Sequence, residues 1–147
     1  MNEKIITTEI NAALKSGDKV KVSVFRMLLS DVKNLRIEKR VKELDEKDTL
    51  TAMKKMVKRY KDSIEQFKQA GRDDLVEKET GELDVLLAYM PKEMSEDEIK
   101  RIVDEAIDEV GAKTMADMGS VMKIIQERTS GRADGKIVSQ MVKDKLI

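Results

Sequence analysis

Apolar residues recur at three- and four-residue steps through every segment of this chain. That is the period of one helix face, and it predicts an all-α protein without β-sheet. The few interruptions are punctuation: one proline and seven glycines in 147 residues. A first helix is expected over 3–15, with Ile5, Ile6, Ile10, Ala13 and Leu14 inward. Gly17 stops it and Asp18 caps a long second helix, Lys19 to about Lys42. Val24, Leu28, Val32 and Leu35 form that helix's stripe, which Phe25 and Leu29 widen. Asp45 is placed to cap a third helix running to Ala70, with Met53, Val57, Tyr60, Ile64 and Phe67 on one face. Asp73 opens a fourth, with Val76, Leu83, Leu87 and Met90 inward, which Pro91 ends.

The sharpest local signal follows that proline. Ser95 and Glu98 have the spacing of a capping box, and Met94 and Ile99 that of a hydrophobic staple. The chain therefore restarts there, with Ile99, Ile102, Val103, Ala106 and Val110 facing inward. Two subdomains are expected. Residues 1–92 would make an elongated region built on a long helical hairpin, and residues 93–147 a compact three-helix tail.

Composition removes whole classes of function. The chain has no histidine and no cysteine. Histidine-based nucleophile activation, ordinary zinc sites and disulfides are therefore unavailable. Carboxylate pairs such as Asp104 with Asp108 are ordinary on exposed helix faces. No catalytic residue, metal or cofactor is assigned. No apolar run reaches the length of a membrane span, and the N-terminus lacks the pattern of a signal peptide. A cytoplasmic location and no membrane partner are the expectation. The methionines fall mostly on apolar stripes, which suits core packing.

A formal net charge of zero hides an asymmetry. Between Lys19 and Lys42 there are eight bases against Asp31 and Glu38, a net of +6. Between Asp73 and Glu109 there are fourteen acids against four bases, a net of −10. Such halves can steer a polyanion. Lys33, Arg36 and Arg40 share a face of the second helix, and Lys54, Lys55, Lys58 and Arg59 crowd the first half of the third. If these helices pair antiparallel, one end of the hairpin becomes strongly positive, as a nucleic-acid surface requires. With so few aromatics, contact through phosphates is favoured over base reading.

The tail adds a second candidate. Met118, Val121, Met122 and Ile125 make one short helical stripe. Ile137, Val138, Met141, Val142 and Leu146 make another. Gly131 can take the left-handed conformation between them, and Asp134 can cap the last helix. Gly119, Gly131 and Gly135 lie at helix ends, near Lys123, Arg128, Arg132 and Lys136. Free amides and small residues at helix starts suit a phosphate.

The run Met118-Gly119-Ser120-Val121-Met122-Lys123, followed by Gly131-Arg132-Ala133-Asp134-Gly135-Lys136, resembles the tail domain shared by GatB and YqeY proteins. Upstream, Arg59-Tyr60-Lys61-Asp62-Ser63, Ala70-Gly71-Arg72-Asp73-Asp74-Leu75 and Tyr89-Met90-Pro91 resemble the free-standing YqeY family. GatB is the tRNA-handling subunit of a glutamine-dependent tRNA amidotransferase, a carbon–nitrogen ligase. The resemblance therefore implies a tRNA-binding accessory module. Its partners would be tRNA or other structured RNA, and an aminoacyl-tRNA-handling protein. The chain lacks GatB's catalytic cradle and a glutaminase, so no catalysis of its own is expected. The alternative is a protein-interaction module without an RNA ligand. On this reading, Arg132→Ala lowers tRNA affinity at unchanged thermal stability, while Gly131→Val also lowers stability.

Overall fold

The computed structural model describes all 147 residues and contains no strand. Seven α-helices follow one another: α1 Glu3–Ser16, α2 Lys19–Lys39, α3 Glu46–Gln69, α4 Asp73–Ala88, α5 Glu96–Val110, α6 Met118–Thr129 and α7 Gly135–Leu146. A 3₁₀ turn, Met115–Asp117, leads into α6. The chain divides into two compact units, Met1–Met90 and Pro91–Ile147.

The first unit packs α1 on α2 and α3 on α4, and α2 also meets α3 and α4. Met27, Asp31 and Lys39 of α2 contact Tyr60, Arg59 and Asp48 of α3 in turn. One list ascends as the other descends, so α2 and α3 form an antiparallel hairpin. The core joins Ile6 and Ile10 of α1, Val24, Phe25, Leu28 and Val32 of α2, Met53, Met56 and Tyr60 of α3, and Leu83 and Leu86 of α4. Phe25 is fully buried, and Tyr89 stands edge-on to it with ring centroids 4.8 Å apart. Lys21 lies 5.0 Å from the Tyr89 centroid and pairs with Glu9 at 2.7 Å, while Tyr89 Oη donates to Glu9 at 3.0 Å. The hydrogen bond with Glu9 holds the Lys21 pKa well above the ordinary lysine range.

Several expected inward positions are exposed instead: Ile5, Leu14, Leu87 and Ile137. Each lies at the margin of its stripe, where a rotation of a few tens of degrees decides the side. Leu86, one position before Leu87, is the fully buried residue. Helix α2 also ends three residues before its expected limit. Arg40 closes it in the left-handed region at φ 55°, and the Arg40 and Val41 N–H groups donate back to the Ile37 and Arg36 carbonyls.

In the second unit, the capping box at Ser95 and Glu98 is complete. Met94 packs on a core of Ile99, Ile102, Val103 and Ala106 from α5, Val121 and Ile125 from α6, and Val138, Val142 and Leu146 from α7. Ser130 and Gly131 are both left-handed, at φ 47° and 79°, and together turn the chain out of α6. The Asp134 carboxylate then accepts the Lys136 N–H at 2.8 Å and caps α7.

Candidate nucleic-acid interface

On the first unit, the seam between α2 and α3 opens into a groove of about 520 Å³. Helix α2 lines it with Asp31, Asn34, Leu35 and Glu38, and α3 with Ala52, Lys55, Lys58, Arg59 and Asp62. Three acids there face three bases. The groove is charge-balanced, and Arg59 is tied to Asp31 across it. It does not form the single positive surface expected of the hairpin.

The reason is angular. Residues along a helix are separated by ~100°. Lys33 therefore lies ~200° around α2 from Asp31, and its side faces away from the groove. Arg36 turns toward α1, where its Nε donates to Glu3 at 2.7 Å. The seven hairpin cations thus divide into a set on the far face of α2 and a set on α3. Arg36 and Arg59 are held in ion pairs, and Lys54 is also engaged. Lys33, Arg40, Lys55 and Lys58 are exposed and form none of the ion pairs.

The tail candidate divides in the same way. Arg128 of α6 pairs with Glu109 and, at 3.7 Å, with Glu105, both on α5. Arg132 Nε donates to the Lys92 carbonyl at 2.9 Å, and the Arg132 carbonyl accepts the Met94 N–H at 2.9 Å. These two bonds close the segment after Pro91 onto the α6–α7 turn. Arg132 is thus part of the unit's framework, which argues against the expectation that its replacement by alanine leaves thermal stability unchanged. Lys123 and Lys136 are exposed and outside every ion pair. Both lie on the helix sides opposite the buried Val121 and Val138.

The glycines differ from one another. Gly131 needs its left-handed φ of 79°. Gly119 and Gly135 do not have positive φ, and an added Cβ at either would meet nothing within 4 Å. Packing therefore does not require glycine at those two positions. At the start of α6, the Asp117 carboxylate is already occupied by the Lys113 and Thr114 N–H groups at 2.9 and 3.2 Å. Those bonds, that to Lys113 first, hold its pKa below the usual carboxylate value.

Sequence reasoning passed over two further exposed, unpaired cations on α2, Lys19 and Arg26. Their signal was the seven-residue spacing Lys19, Arg26, Lys33. No helix of this chain is long and apolar enough to cross a membrane.

A model of the Yqey-like protein family matches residues 3–146. "Altered inheritance of mitochondria protein 41, mitochondrial" of Saccharomyces cerevisiae is 31% identical over 115 residues, covering 74% of this chain and 62% of that protein. The protein of the same name in Eremothecium gossypii is 37% identical over 82 residues, covering 56% of this chain and 45% of its own length. The chain thus matches less than two thirds of the length of these curated relatives.

Proposed function

Because the chain belongs to the Yqey-like family, and because its tail motif resembles that of GatB, we propose that it is an RNA-binding accessory module with tRNA as its RNA class. It acts without catalysis of its own, beside the enzymes that act on aminoacyl-tRNA. The observation that carries the reading is the division of its cations. Arg36, Arg59, Arg128 and Arg132 are spent on internal contacts, while Lys33, Arg40, Lys55, Lys58, Lys123 and Lys136 are exposed without ion pairs. Unpaired cations are the ones free to displace counterions from a phosphate backbone. The lack of cysteine supports the cytoplasm as the compartment; the mitochondrial assignment belongs to the fungal relatives' names.

Titration of labelled bulk tRNA with the full chain at rising salt tests this. The reading predicts binding at low salt that weakens steeply as salt is added. Binding to a protein partner with weak salt dependence, and none to tRNA, would favour the protein-interaction reading instead.

A further inference from the structure

Lys19, Arg26 and Lys33 are spaced by seven residues on α2. Seven residues fall only ~20° short of two helical turns, so the three form a row along one side, with steps of about 10.5 Å. All three are exposed and outside every ion pair. Ser23 and Ser30, also exposed, stand three or four residues from these cations and so fill the spaces between them. The acids of α2, Asp31 and Glu38, both line the groove toward α3. Neither acid of α2 itself therefore lies on the row.

At the N-terminal end of the row the Asp18 carboxylate caps α2, accepting the Lys21 N–H at 3.0 Å, and Lys21 is paired with Glu9, which leaves Lys19 as the free cation of the first turn. Beside Lys19 and Arg26 lies a second groove, of about 560 Å³, walled by Leu14 of α1 and Val22 and Met27 of α2, with the capping Asp18 also at its wall. Leu14 and Met27 remain 52% and 44% exposed, so apolar surface is on offer within a side chain's reach of two free cations.

We propose that this side of α2 takes a single-stranded RNA segment. Its phosphates lie along Lys19, Arg26 and Lys33, and one unstacked base enters the Leu14–Met27 groove. The proposal rests on the RNA reading above and specifies its site. A linear polyanion suits a single row of cations. The serines between them can donate to phosphate or sugar oxygens, whereas a helix that inserts into lipid would place apolar residues there. A duplex has no free base for the groove, so single strands and loops are selected without regard to sequence.

The test uses the full chain, a short oligouridylate, a duplex of equal length, bulk tRNA and phosphatidylglycerol vesicles. The wild type should bind the single strand more tightly than the duplex. The combined variant Lys19→Gln, Arg26→Gln, Lys33→Gln should lower single-strand affinity and flatten the slope of log K against log salt by about 2. Leu14→Asn should weaken single-strand binding several-fold and leave that slope unchanged. Circular dichroism confirms the fold of each variant. Equal affinity for duplex and single strand overturns the assignment to single strands. An unchanged slope in the triple variant, with tRNA still bound, overturns this site and leaves the RNA reading standing. Failure of the wild type to bind any RNA removes both. Loss of binding to phosphatidylglycerol vesicles in the triple variant, without RNA binding by the wild type, makes the row a lipid surface and overturns the proposal.

Discussion

Arg132 donates from Nε to the Lys92 carbonyl, and its own carbonyl accepts the Met94 N–H, so one turn residue fastens the start of the second unit. Arg132→Ala removes the charged side-chain bond and keeps the backbone one. The expected cost is about 1 kcal/mol, a fall in melting temperature of about 4–8 °C for a unit this small. Lys136→Ala, by contrast, should leave the melting temperature unchanged. Differential scanning calorimetry on both variants checks the pair. Asp117 offers a test by acid. Its pKa is lowered in the folded state, so its contribution to stability is complete above the ordinary carboxylate value of about 4 and is lost as the pH falls through the lowered one. Asp117→Asn should therefore lower stability at neutral pH and make the second unit less sensitive to acid below about pH 4. Equal acid sensitivity of the variant and the wild type would contradict this. None of these arginine roles was legible in sequence. Arg36, Arg59, Arg128 and Arg132 find their partners 33, 28, 19 and 40 positions away. Free and engaged cations look alike until the helices are packed.

Helix boundaries were more legible, because they are set by neighbours in sequence. Asn2, Asp18, Asp45, Ser95 and Asp134 all cap through bonds spanning two or three residues. The exception is the end of α2, where Arg40 takes a conformation that glycine favours. The sequence carries no glycine to mark it. Arg40→Gly should relieve that strain and raise stability by roughly 0.5–1 kcal/mol, read from urea unfolding. In α6, Gly119→Ala should stabilise by up to about 1 kcal/mol, since the new methyl group meets nothing. If tRNA affinity falls in the same variant, close approach to a ligand is the reason for the glycine. If affinity is unchanged, Gly119 has no part in binding. The hairpin was legible as a pairing but not as a surface. The antiparallel arrangement follows from two long stripes joined by a short connection, whereas the side on which Lys33 emerges depends on how α2 is rotated against α1 and α3.

At the scale of the molecule, the two cores share no residue. Residues 91–147, expressed alone, should give a helical circular dichroism spectrum and a cooperative thermal transition; a broad, non-cooperative melt would show that this unit depends on the first. The all-α class was legible from period alone, because no segment departs from it. The candidate site was not, since the acids and bases that sum to zero are sorted only by the fold. What the fold leaves unpaired is a set of exposed cations, and the account stands on their meeting phosphate. The most direct measurement is the equilibrium affinity of the full chain for bulk tRNA between about 50 and 200 mM salt. Contacts through Lys19, Arg26 and Lys33 alone predict a linear fall of log K with log salt with a slope of about −2, and every further exposed cation that meets phosphate steepens it. Absence of binding at the low-salt end, or a slope near zero, would contradict the account.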